Sequence, residues 1–213
     1  INQEIKDFCN DILPLLIVSD LLADTKKQIE KRNEIIEAAK RIMDEVGFEN
    51  VTVRSICKAA NISIGTFYHY FNDKGDIIIQ LYTSVDEYLK EIEKEKLSDE
   101  DELKNIITLS EEYGKFVSDS GLIIAKQIFS ASINTESNQI YRSKERDINR
   151  IIVDIVKRAE DKKQINSKFG VDEISNMILI NIRGIVFDWC KFHGQYDLAT
   201  QMKNNISIFV NGI

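Results

Sequence analysis

Apolar residues spaced three and four apart dictate most of what this chain is able to become. Ile35, Ile36, Ala39, Ile42, Met43 and Val46 lie along one face of a helix that starts near Lys26. Ile77, Ile78, Leu81, Tyr82, Val85, Leu89 and Ile92 form a second such stripe, on a helix that runs from Lys74 to about Glu95. The same period predicts further helices over roughly 100–119, 121–132, 136–163, 171–191 and 197–211, and no strand alternation competes with it. One proline and nine glycines in 213 residues leave little of the punctuation that sheets and turns need. The expected fold class is all-α.

Between the two stripes the chain is punctuated closely. Gly47 supplies a C-terminal stop, the linker FEN follows, and Thr52 is a good N-cap for the short helix VRSICKAA, with Val53, Ile56, Ala59 and Ala60 expected inside. Asn61 tolerates the left-handed conformation of a tight turn, Ser63 caps a second short helix, IGTFYHYF, and Asn72 and Asp73 break the chain again. This is a helix, a turn and a helix. Many all-α proteins contain such a pair and never touch DNA. Here, however, Gly65 in the first turn lets the backbone approach a ligand closely, while Thr66, Tyr68 and His69 offer polar tips. Phe67, Tyr70 and Phe71 suit packing against neighbouring helices. Charge points the same way. Residues 26–74 carry nine bases against seven acids, whereas the whole chain has 28 against 35. DNA affinity depends on bases neutralising phosphates, so this segment is the one suited to it.

The stretch TVRSICKAANISIGTFYHYFNDK, Thr52 to Lys74, closely resembles the helix-turn-helix of the TetR (tetracycline-repressor-like) family of transcriptional regulators. In that pattern a Thr-capped helix, a tight turn, a Gly-Thr-Phe/Leu-Tyr recognition helix and a Tyr-Phe-x-x-Lys exit follow in order. The resemblance is dense over roughly residues 29–80. It implies an N-terminal three-helix DNA-binding domain and a helical ligand-binding and dimerisation domain, with boundaries at 1–25 (an extension of unknown role), 26–74 and 75–213. It also implies phosphate contacts from Thr52, Tyr68 and Lys74, a base or backbone reader at Arg54, and base-facing positions at Ser63, Ile64 and Thr66, beside Gly65 and His69. Lys26, Lys27 and Arg32 would add phosphate contacts. Arginine reads guanine bidentately, which makes Arg54 the first residue to test.

The implied protein is a homodimer that binds a palindromic operator in double-stranded DNA as a repressor and is released by a small-molecule effector. One short recognition helix offers too few contacts for a specific site, whereas a twofold pair reads a palindrome. The run IRGIVFDWCKFHGQYDL resembles the family's dimerising region, with Gly184 allowing close helix approach and Phe187 and Trp189 supplying buried area; an intramolecular core is the competing reading. The effector cavity is expected among helices spanning about 100–190, with Tyr113, Gln127, Asn181 and Arg183 as polar residues to inspect. An effector favouring the non-DNA conformation would move the fourth helix and change the separation of the two recognition helices.

Other classes have less support. There is no nucleophile with a positioned base and no glycine-rich phosphate loop, so no enzyme, catalytic residue or cofactor is expected. Cys190 and His193 have ligand-like spacing, but a metal site needs three or four donors and none lies nearby in sequence. Cys9, Cys57 and Cys190 form no disulfide pattern, and no apolar run reaches membrane-spanning length, so a cytoplasmic protein without a membrane partner is expected. A helical carrier of small molecules with a vestigial DNA motif is the alternative function. Residues 1–25 carry a stripe of Ile5, Phe8, Ile12, Leu15 and Leu16 interrupted by Pro14 and read as an added helix; their acidity argues against groove binding.

Overall fold

The computed structural model describes residues 26–98, 100–134 and 147–212. The N-terminal stripe and part of the expected helix over 136–163 therefore lie outside the described residues. Among the described residues there are nine α-helices and no strand. They are α1 (26–46), α2 (Val53–Ala59), α3 (Ile64–Tyr70), α4 (Lys74–Glu95), α5 (Glu102–Ser120), α6 (Leu122–Asn134), α7 (Asp147–Asp161), α8 (Val171–Lys191) and α9 (Leu198–Val210). The linker FEN is itself a turn of 3-10 helix, Phe48–Asn50. The chain divides between Lys74 and Gly75 into two units, and α4 begins with the last residue of the first.

Side-chain caps set the helix starts. Thr52, Ser63, Asp101 and Asp197 each accept a hydrogen bond from the backbone N–H three residues on, satisfying a donor that the first turn leaves orphaned. Left-handed residues set several of the ends. Gly47 (φ 78°) closes α1, and His193 (φ 55°) with Gly194 (φ 71°) turns the chain after α8.

In the first unit Ile35, Ala38, Ala39 and Met43 of α1, Ile56 and Cys57 of α2, and Phe67 and Phe71 are buried. The expected inward set of α2 needs correction, because Ala59 is exposed and Cys57 takes an inner position. In a helix of seven residues only about two turns exist, so one pair of buried side chains suffices to orient it.

The second unit is built around the stripe of α7, where Ile148, Ile151, Ile152, Ile155, Val156 and Ala159 are all buried. Against the same core lie Val85, Leu89 and Ile92 of α4, Ile106 and Leu109 of α5, Ile174, Ile178, Ile182 and Val186 of α8, and Met202, Ile206 and Val210 of α9. Gly114 sets how closely α5 and α9 approach. A Cβ there would stand 3.2 Å from Ala199 Cα and from Met202 Cβ.

Polar bonds clamp the ends of these helices. Glu102, 0% exposed in the first turn of α5, accepts from Arg158 (2.9 and 3.0 Å) and Lys162 (2.8 Å) at the end of α7 and from Asn105 (3.1 Å). Burial pushes its carboxyl pKa up, but these donors outweigh burial and hold it below its ordinary value. The far half of α4 is tied by Tyr88 donating to Glu112 (2.5 Å), Lys96 to the same carboxylate (2.7 Å), Lys90 to Asp147 (3.0 Å) and Arg150 to Glu93 (2.9 Å).

A lowered folded pKa means that Glu102 contributes stability above its unfolded value of 4.5, and that this stability fades as pH falls through the folded value. Glu102→Gln is expected to cost about 1–3 kcal/mol at pH 7, because Arg158 and Lys162 reach water once released. The gap to the parent protein should narrow in acid, as measured by urea denaturation between pH 7 and 3.

Candidate nucleic-acid interface and effector cavity

The face that α3 presents to solvent follows from the face it buries. Phe67 is fully buried, its ring 5.4 Å from that of Phe71, so residues on the opposite side of this two-turn helix point outward. Ile64 (46% exposed), Gly65, Tyr68 (57% exposed) and His69 are all exposed, and Thr66 is half-buried beside them. Ser63 caps the helix, accepting from the N–H of Thr66 at 3.0 Å, with the two hydroxyls 2.9 Å apart. The turn before it is held by Ile62 N–H donating to the carbonyl of Cys57 (3.0 Å), with Asn61 at φ 51°. At the start of α2, Thr52 and Ser55 form a reciprocal capping box, and Arg54, the second residue of the helix, is exposed.

Eight of the nine predicted DNA-facing residues therefore lie on or beside two short helices with capped starts. Lys74 differs. Its ammonium donates to the carbonyls of Phe48 (2.9 Å), Glu49 (3.3 Å) and Val51 (2.9 Å), and lies 4.6 Å from the centre of the Phe48 ring. A group expected at a phosphate is thus engaged within its own unit.

In the second unit a small cavity of about 40 Å³ lies among α4, α5, α6 and α8. Its walls include Leu81 and Val85 of α4, Phe116 of α5, Ile124 and Phe129 of α6 and Val186 of α8, with Tyr113 and Ser120 as polar members. Ligand sites are commonly apolar with few polar groups, and this lining has that chemistry, although a ligand larger than a few atoms enters only by displacing the side chains around it. Of the residues singled out for inspection, Tyr113 lines it. Asn181 instead donates to the carbonyl of Met177 and Arg183 to that of Leu179, each one turn back along α8, and Gln127 is not among the lining residues. The apolar wall escaped the sequence reading because a cavity-lining leucine has the same period as a core leucine. One signal was available: in LIIAKQIF six of the first eight positions of α6 are apolar, as befits a helix with a core on one side and a cavity on another.

The predicted interface residues separate. Phe187 (54% exposed) and Gly184 face outward with Ile180 on one side of α8, and a Cβ at Gly184 would meet nothing within 4 Å. Trp189 is a correction. It is only 6% exposed and donates from Nε1 to the carbonyl of Tyr196 at 3.0 Å, closing the turn between α8 and α9 inside its own unit. Cys190 is buried, and burial pushes its thiol up to about 11. Among the described residues no group of three or more His, Cys, Asp or Glu is placed to hold a metal, and no helix is long and apolar enough to cross a membrane.

Residues 35–81 match the family model described as bacterial regulatory proteins, tetR family. Over 192 residues the chain is 27% identical to the fatty acid metabolism regulator protein of Bacillus subtilis (strain 168), covering 88% of this chain and 98% of that one. The structure is similar to that of the fatty acid degradation regulator FadR from Bacillus halodurans, with TM-score 0.69 and 19% identity over 85% of this chain and 95% of that one. It is also similar to the transcriptional regulator FadR from Bacillus subtilis in complex with stearoyl-CoA, with TM-score 0.65 and 21% identity over 83% and 96% of the two chains.

Ser63→Ala removes the side-chain cap of α3 and the partner of the Thr66 hydroxyl. It should lower stability by about 1 kcal/mol, read as a fall in Tm by circular dichroism. An unchanged Tm would mean that α3 does not depend on this cap.

Proposed function

Since this chain belongs to the TetR family of bacterial regulatory proteins and is a ligand-responsive DNA-binding regulator of transcription, we propose that it represses from a palindromic operator as a homodimer. Its effector, in this reading, is a long-chain fatty acyl thioester. The observation that carries the effector assignment is the apolar cavity, whose wall includes Leu81 and Val85 of α4. An acyl chain matches such a lining, and the similar Bacillus subtilis regulator is a complex with stearoyl-CoA. Because α4 runs unbroken from Lys74 to Glu95, an acyl chain that displaces Leu81 and Val85 strains the helix leading out of the DNA-binding unit. The effector then favours the conformation with weaker DNA affinity, and release is a population shift. Action on bacterial DNA places the protein in the cytoplasm.

On DNA, the proposed contacts are base reading by Arg54, Ser63, Ile64 and Thr66, close approach at Gly65, and phosphate or edge contacts from Thr52, Tyr68 and His69. All but the half-buried Thr66 are exposed. For the dimer, the proposed surface is the outward strip Ile180, Gly184 and Phe187 of α8 together with Ile208 of α9, which is 77% exposed. Large apolar side chains lined up along one helix face are suited to covering by a second copy.

Selection of bound duplexes from random DNA tests the first part. A palindromic preference is expected, with Arg54→Ala losing about 1–3 kcal/mol of discrimination at one position per half-site and Tyr68→Ala weakening all sequences alike. With a selected duplex in hand, stearoyl-CoA should lower DNA affinity by up to about a hundredfold, free coenzyme A should not, and Ile124→Trp should blunt the response by filling the cavity. Release by free coenzyme A alone would remove the acyl-chain assignment. Separately, Phe187→Asp should convert the dimer to monomer in analytical ultracentrifugation and abolish binding to a full palindrome; a variant that stays dimeric moves the interface elsewhere.

A further inference from the structure

Lys74 is the first residue of α4, yet its side chain is committed to the segment between α1 and α2. An ammonium has three N–H donors, and here three carbonyls receive them, those of Phe48, Glu49 and Val51, at 2.9, 3.3 and 2.9 Å. The ring of Phe48, 4.6 Å away, takes a further face of the charge. The carbonyls come from the 3-10 turn and from the residue immediately before Thr52, the N-cap of α2. Val51 is itself buried. Backbone carbonyls that converge on one cation are fixed relative to it more firmly than a solvated turn would be, because hydrogen bonds to a charge are stronger than neutral ones.

We propose that Lys74 is a positioning residue for DNA binding: it holds the Phe48–Val51 segment and thereby sets where Thr52 and the start of α2 stand, and it does not itself contact phosphate. The inference rests on the DNA-binding reading above. An ammonium whose three donors are occupied has none left for a phosphate oxygen. Lys74 is the last residue of the first unit, so these bonds lie wholly within the DNA-binding unit.

The two roles differ in salt dependence. Loss of a phosphate contact makes the plot of log affinity against log salt shallower by about 0.9, whereas loss of positioning weakens binding without changing the slope. The test measures affinity for a duplex selected by the parent protein, between 50 and 200 mM salt, about the range in which such slopes are read. Active fractions are fixed by stoichiometric titration. Lys74→Met is expected to bind about tenfold more weakly at every salt concentration with the parent slope. In a double-mutant cycle its effect should be smaller when Thr52 is already alanine, since it acts in part through that residue.

A slope reduced by about 0.9, an unchanged affinity, or strictly additive effects with Thr52→Ala would each overturn the proposal. Should Lys74→Met fail to fold, Phe48→Leu provides the second arm. It keeps the ammonium and removes the ring beneath it, so weaker binding at an unchanged slope is expected, and parent-like affinity overturns the proposal. A parent protein whose affinity ignores salt would refute DNA binding itself, a result distinct from all of these.

Discussion

Two helices of seven residues each are too short to stand in water on their own, so the DNA-facing surface of this protein exists only because of what lies beneath it. Burying Phe67 contributes about 2–3 kcal/mol, comparable to everything the caps at Thr52 and Ser63 supply together. That burial fixes the rotation of α3 and so decides that Tyr68 and His69 point outward. Function at this surface is therefore a consequence of packing, and a change at Phe67 would reach every residue on the outer face.

In the second unit, α4 is held unevenly. Its far half is tied by Tyr88, Lys90, Glu93 and Lys96 to α5 and α7, while Leu81 and Val85 look into the cavity. Charged clamps lose much of their strength if a partner slides by an ångström or two, whereas apolar side chains beside a void shift at small cost. An occupant of the cavity thus meets the compliant part of the helix and leaves the anchored part in place. The buried Glu102 cluster serves the same division, since it fixes the first turn of α5 against the last turn of α7 away from the cavity wall.

Charge is apportioned in a way that reconciles an acidic protein with an anionic partner. The chain carries a net charge of −7, yet residues 26–74 hold more bases than acids. Acidic regions elsewhere discourage unspecific adhesion to DNA, leaving affinity to a segment with a small excess of bases and to its shape complementarity. A carrier with a vestigial motif would have no physical use for that asymmetry, nor for two capped helix starts whose neighbours are so fully exposed.

Much was legible from residue order alone. Helical periods located α4 and α8, capping chemistry located the starts at Thr52 and Ser63, and Asn61 announced a left-handed turn, because each of these depends on residues within about one helical turn of each other. What lay beyond reach was the partner of each face. Phe187 and Trp189 sit two residues apart in an aromatic-rich run, and only packing against the turn at Tyr196 draws one inward and leaves the other outside. Lys74 reads as a cation available to phosphate, but three carbonyls 23 to 26 residues earlier in the chain claim it. The sequence by itself determined which residues share a helix face and where helices start. Tertiary structure decided what each face meets, because convergence in space between distant segments leaves no periodic trace along the chain.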